Sequence, residues 1–147
     1  MKKTTLVKWL PVSSEWLKFN VDGTMMSDGK AGGIEGSLRN ADGVQLLSFS
    51  RPIGTGSPVL VELSAVEFAV DMFLKSPWAV TCKLIVESDC SNVVCWILNP
   101  SKVPLCFISR FQAFSLRFLI FRLQISYVSR ACNIDADSLV KRAISSG

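Results

Sequence analysis

The sequence predicts an α/β domain built on a five-stranded mixed sheet, with elements in the order β-β-β-α-β-α-α-β-α and helices on the faces of the sheet. Three observations predict it. Alternating apolar and polar residues mark several short strands, as in Leu17-Lys18-Phe19-Asn20-Val21-Asp22. A turn signal, Asn40-Ala41-Asp42-Gly43, joins two of them into an antiparallel hairpin. Beyond that hairpin, strands alternate with helical patterns, which calls for crossover connections and parallel pairing.

Residues 1–15 form a lead-in broken by Pro11 and Ser13-Ser14, and residues 16–147 form the domain. The first strand runs over 17–22, and its period of two sets Asp22 on the face opposite Leu17, Phe19 and Val21. A Gly-rich loop leads to strands at 34–40 and 44–51. Ser57-Pro58 supplies a cap and a first-turn proline, and Leu63, Val66, Val70 and Leu74 carry a helical period to residue 75. Ser76-Pro77 ends that helix. Residues 82–88 make a fourth strand, and Asp89 is placed to cap a helix over 91–98, which Asn99-Pro100 breaks. A third helix is expected over 104–119, a fifth strand over 121–128, and a last helix from 134 to the C-terminus. Phe107, Phe111, Phe114, Phe118 and Phe121 recur at helical spacing and read as a core stripe, with Arg110 and Arg117 off it and available to phosphates.

Composition narrows the chemistry. The chain has 147 residues, 49% of them hydrophobic, enough for a real core. Charge is uneven: residues 101–147 hold seven Lys/Arg against two Asp, while residues 1–100 hold nine against ten acids. A basic C-terminal third suits a polyanion, and equally an ordinary solvated surface. Histidine is absent, which removes Ser-His-Asp triads, Cys-His pairs and His-ligated zinc. Five cysteines without a C-x-x-C spacing argue against a thiolate zinc site and fit a reducing, intracellular compartment, nuclear or cytoplasmic. The longest apolar run, around Phe118-Leu119-Ile120-Phe121, is too short to span a bilayer. What remains is carboxylate chemistry, which favours Mg²⁺ or Mn²⁺.

Four acids stand in distinctive settings: Asp22 at the end of the first strand, Glu62 near the start of the first long helix, Asp89 after the fourth strand and Asp137 before the last helix. Singly, each has an ordinary reading as a turn residue, a first-turn helix acid, an N-cap and a solvated acid. Converging, they would hold two divalent ions about 3.5–4 Å apart, the clamp used for in-line phosphodiester displacement.

The words around these acids resemble the ribonuclease H fold, and more narrowly the plant reverse-transcriptase-like, retroelement-type branch of type 1 ribonuclease H. The resemblance runs through Lys18-Phe19-Asn20-Val21-Asp22-Gly23-Thr24, Ala31-Gly32-Gly33, Leu38-Arg39-Asn40, Asp42-Gly43, Phe49-Ser50, Ile53-Gly54, Glu62-Leu63, Val86-Glu87-Ser88-Asp89, Arg130 and Asn133-Ile134-Asp135-Ala136-Asp137. It implies that Asp22, Glu62, Asp89 and Asp137 bind two Mg²⁺ (or Mn²⁺) ions. It further implies cleavage of the RNA strand of an RNA–DNA hybrid, leaving 5′-phosphate and 3′-hydroxyl ends. Asn20, Gly23, Thr24, Arg39, Arg130 and Asn133 are the candidate substrate contacts, and the protein is expected to be a monomer. The chain departs from the family pattern at Val61, in place of a usual Ala, and at Cys90, in place of a frequent Ser. It also lacks the loop His of bacterial relatives, and between the second and third helices it has only Lys102 where an extended basic handle would sit. Two other readings follow: a catalytically inactive ribonuclease H-like nucleic-acid-binding domain, or a C-terminal fragment of a retroelement polyprotein.

Overall fold

A computed structural model of the chain describes residues 15–26, 28, 30–54 and 56–129. The sequence-predicted last helix, and with it Arg130, Asn133 and Asp137, lies outside the described residues. Five strands form one mixed sheet in the order β3-β2-β1-β4-β5. They are β1 (Glu15–Met25), β2 (Gly32–Arg39), β3 (Gln45–Ile53), β4 (Cys82–Ser88) and β5 (Gln124–Tyr127). β1, β2 and β3 pair antiparallel, whereas β4 pairs parallel with both β1 and β5. The helices are α1 (Pro58–Leu74), α2 (Ser91–Leu98) and α3 (Ile108–Ile120). This is the mixed sheet with helices that the sequence predicts.

The period of two in β1 builds the core. Leu17, Phe19 and Val21 are at most 1% exposed and share a face with Leu38 of β2, Leu84 and Val86 of β4 and Ile125 of β5. Against it pack Leu63, Val66, Ala69, Val70 and Phe73 of α1, and Val93, Ile97, Phe111, Phe114 and Phe118 of α2 and α3. The other face is polar. Lys18 pairs with Arg39, Asn20 with Ser37 and Glu87, and Asp22 with Glu35.

The β2–β3 hairpin closes as its turn signal requires. Gly43 takes φ +81°, and Asn40 Oδ1 accepts from the Asp42 and Val44 amides. Ser57 is the N-cap of α1, accepting from the Leu60 amide, and Pro58 follows it.

Most boundaries shift by one or two residues from expectation, and three elements differ for a physical reason. β1 begins at Glu15, one residue inside the expected lead-in, and continues through Thr24 and Met25 because β2 pairs with it to the end. α3 starts at Ile108, since Pro104 opens a separate 3₁₀ turn at Leu105–Phe107. β5 is short because α3 ends in a turn with Arg122 at φ +56°, so Phe121 is 50% exposed and lies outside both the strand and the core stripe. Arg110 and Arg117 are engaged within the fold: Arg110 bonds to Glu67 and Ser64, and Arg117 to Asp71, tying α3 to α1. No helix among the described residues is long and apolar enough to cross a membrane.

Candidate metal centre

Three of the four predicted acids come together. One carboxylate oxygen each from Asp22, Glu62 and Asp89 lies within 4.8 Å of the others. β1 carries Asp22 near its C-terminal end, and β4, parallel to β1, ends at Ser88, one residue before Asp89. Glu62 comes from the start of α1, which packs over β1.

Gly23 is what allows the helix to come so close. A Cβ on Gly23 would stand 2.7 Å from the Val61 carbonyl oxygen and 2.9 Å from the Glu62 Cα. The amide of Gly23 then donates to Asp22 Oδ1 at 2.9 Å and to Glu62 Oε1 at 2.8 Å, orienting both carboxylates with one N–H. Gly23 therefore serves the site as an orienting donor as well as a candidate substrate contact.

Two ordinary readings of these acids are corrected. Glu62 is the fifth residue of α1, whose first turn holds no acid, so the helix dipole does not account for it. Asp89 is not the cap of α2. The N-cap is Cys90, without a side-chain cap bond, and the Cys90 amide is taken by Ser88 Oγ at 3.1 Å. The Asp89 carboxylate instead stands within the cluster. Val61, the departure beside Glu62, is buried and leaves the helix start at Pro58 as read. Cys90 sits close enough to feel the cluster: burial pushes its thiol pKa up, and the charges of Glu62 and Asp89 raise it further, against the opposing amides of Val93 and Asn92.

The surroundings fit a hard divalent ion. All three donors are carboxylates, Asp22 is 0% exposed, and the Thr24 hydroxyl oxygen is buried without a hydrogen-bond partner. Other candidates fall elsewhere. Asn20 gives its amide to Glu87 Oε1 at 2.9 Å, and Glu87 also meets Lys18 at 3.7 Å. Arg39 pairs with Lys18, four residues along β1 from Asp22, or roughly 13 Å. It lines a separate cavity of about 420 Å³ with Trp16, Lys18 and Asn40.

One buried acid escaped the sequence reading. Glu35 of β2 is 0% exposed and stands directly opposite Asp22. Its signal was its parity: in β2, Ile34 and Leu38 mark the core face, which sends Glu35 and Ser37 to the polar one.

A profile of the reverse transcriptase-like family matches residues 20–143. No curated protein matched the chain significantly. Among solved structures, LC11-RNase H1, isolated from compost by a metagenomic approach, superposes with a TM-score of 0.79 at 22% identity, covering 88% of this chain and 96% of its own. The same enzyme in complex with RNA/DNA hybrid gives 0.75 at 20% identity, covering 88% and 97%. A foamy viral protease-reverse transcriptase in complex with RNA/DNA hybrid gives 0.69 at 18% identity, covering 97% of this chain and 22% of the viral one. At these identities the likeness shows the ribonuclease H fold.

Proposed function

The chain belongs to the reverse transcriptase-like family, and from that premise we propose that it is a metal-dependent endonuclease hydrolysing the RNA strand of RNA–DNA hybrids. The observation that carries the proposal is the convergence of Asp22, Glu62 and Asp89 within 4.8 Å, on three elements of a ribonuclease H fold. Two structures similar in fold are complexes with RNA/DNA hybrid. The reading extends to Asp137 as a fourth ligand, to two Mg²⁺ or Mn²⁺ ions, to a monomer in an intracellular setting and to the plant retroelement-type branch.

When bound, the ions would supply charge stabilisation for the attacking and leaving oxygens of the phosphodiester. The chain's own residues set up that chemistry. Asp22 is fixed by burial and by the Gly23 amide, which also holds Glu62, so two ligands are prepositioned without mobile side chains. Asp89 stands at the end of β4, where the strand gives way to α2. The Thr24 hydroxyl is a donor free for the substrate, suited to a 2′-hydroxyl or a phosphate oxygen.

The test is hydrolysis of a labelled hybrid with Mg²⁺ beside an Asp22→Asn variant. Wild type is expected to cut at least about 100-fold faster, the scale on which losing one transition-state-stabilising group is felt. Cleavage no faster than the variant sinks the catalytic reading. A second reading is favoured by Cys90, whose half-buried thiol stands beside the carboxylates in place of the family's frequent Ser: a ribonuclease H-like domain that binds hybrid and does not cut it. Its signature is hybrid binding without cleavage in Mg²⁺ and in Mn²⁺. The viral likeness, in which this fold is about a fifth of a longer chain, supports a third context, a domain of a retroelement polyprotein. A transcript joining this sequence to a polymerase would establish it.

A further inference from the structure

We propose that the cavity beside Trp16 is a subsite for one nucleotide of a single-stranded extension of the substrate, its base against the indole and its phosphate near Lys18; this rests on the nucleic-acid reading above. The cavity has a volume of about 420 Å³ and is lined by Trp16, Lys18 and Asn20 of β1 with Arg39, Asn40 and Ala41 from the end of β2 and its turn. That volume lies within the range of small-ligand sites, about 300–1,000 Å³. Trp16, Lys18 and Asn20 share the parity of Asp22, so they form one row on the polar face of β1, leading away from the metal centre. Lys18 lies roughly 13 Å along β1 from Asp22, the rise of about four base pairs of duplex. A strand with a phosphate at the acids therefore reaches the cavity within a few nucleotides.

The lining offers each kind of group that a nucleotide needs. An indole is a stacking surface for any base. Lys83, paired with Trp16 from the β4 side, holds its ammonium 5.3 Å from the ring centroid, whereas the remaining wall of the cavity comes from β2 and its turn. Asn40 Oδ1 is taken by two amides of the turn, and Asn20 Nδ2 by Glu87. That leaves Asn40 Nδ2 as a donor and Asn20 Oδ1 as an acceptor for a base edge. The Lys18 side chain is 58% exposed, and Arg39, its cross-strand partner, adds a second positive charge to the wall. Three acids temper that charge: Glu87, 3.7 Å from Lys18 Nζ; Glu15, whose Oε2 accepts from the Ala41 amide at 3.3 Å; and Asp42, exposed in the turn. The pull on a phosphate is therefore modest, and the indole carries the larger share of the grip.

The test reads binding without cleavage. A labelled hybrid, blunt or with a short single-stranded DNA extension at its 5′ or its 3′ end, is titrated with the full chain in chelator and followed by fluorescence anisotropy. One of the two extensions is expected to tighten wild-type binding about tenfold, the scale of one base stacked on an aromatic side chain. Trp16→Ala should lose that gain and keep its affinity for the blunt hybrid within about twofold, while Trp16→Phe should keep most of the gain. Lys18→Gln should lose part of it and make the salt slope shallower by about 0.7, the contribution of one single-strand phosphate. Lys75→Gln, which removes an exposed cation at the end of α1, controls for net charge and should keep the full gain. Wild type that binds blunt and extended hybrids alike, or neither, overturns the proposal, as does a folded Trp16→Ala protein that keeps the gain. Wild type that gains nothing from an extension yet binds dAMP overturns it too, and makes the cavity a site for a free nucleotide. Should Trp16→Ala fail to fold, Ala41→Leu decides, because Ala41 is exposed on the cavity wall and a larger side chain there narrows the cavity. Loss of the gain supports the subsite, and an unchanged gain overturns it. A gain with no cleavage in Mg²⁺ upholds the subsite and sinks the nuclease reading; cleavage of the blunt hybrid with no gain from either extension does the reverse.

Discussion

The three atoms nearest a methyl group on Gly23 would all be backbone: the Val61 carbonyl oxygen at 2.7 Å, its carbon at 2.8 Å and the Glu62 Cα at 2.9 Å. None of these can rotate away, so Gly23→Ala must push α1 off β1. The expected cost is about 1–3 kcal/mol in urea denaturation, the range for overpacking a well-filled contact. Because Glu62 rides on the displaced segment, Mn²⁺ affinity should fall as well; a variant destabilised but with unchanged metal affinity would show that the close approach serves the fold alone. Cys90 gives a second residue-level expectation. Thiolate is the reactive form, and Cys90 is half-buried with its pKa raised, whereas Cys106 is exposed. Iodoacetamide near pH 8 should therefore label Cys106 at least about tenfold faster, read by mass spectrometry of the two peptides. At this scale the sequence was informative about chemistry and poor about neighbours. Asp22, Glu62 and Asp89 announce themselves through local context, whereas Glu35 becomes visible only when the hairpin register sets it across from Asp22.

Elements hold together through contacts that the sequence could not pair. The helical period identified α1 and the core stripe of α3, because burial repeats along each element and is therefore written locally. The partners of Arg110 and Arg117 are more than forty residues away, and from sequence alone both arginines passed for phosphate contacts. In the same way α3 begins later than its apolar period suggests, because a proline and a 3₁₀ turn occupy the first positions. The two kinds of helix–helix contact should differ in weight. Ser115 Oγ donates to the Ile97 carbonyl at 2.7 Å in a buried site, joining α3 to α2. Ser115→Ala leaves that carbonyl without its donor and should cost about 1–3 kcal/mol in urea denaturation. The Arg117–Asp71 pair has side chains 33% and 51% exposed, so a double-mutant cycle on it should give no more than about 1 kcal/mol, shrinking with added salt. The reverse order of the two would mean that α3 is held chiefly by charge.

At the scale of the whole molecule, the strand-to-helix layout was readable because each crossover is local in sequence, and the meeting of three distant acids followed from it. Substrate grip is a different matter. The net charge is +4, and the stretch between α2 and α3 is only a short 3₁₀ turn with Lys102 and the turn before Phe107, so no basic insert projects there. Arg110 and Arg117 are committed to acids of α1. Neither arginine is then available to displace counterions from a hybrid. Each phosphate neutralised contributes about −0.9 to the slope of log K against log salt for a duplex, so a slope shallower than about −4 is expected for hybrid binding. Tethering changes this without new contacts: a nucleic-acid-binding domain joined in cis raises the effective substrate concentration. Fusion of a basic hybrid-binding module should lower the apparent KM by about 10²-fold or more and leave kcat unchanged. Salt titration by fluorescence anisotropy and steady-state kinetics of the fused and unfused chains make the two measurements. A steep slope with no gain on fusion would mean that the domain carries its own full grip on the hybrid.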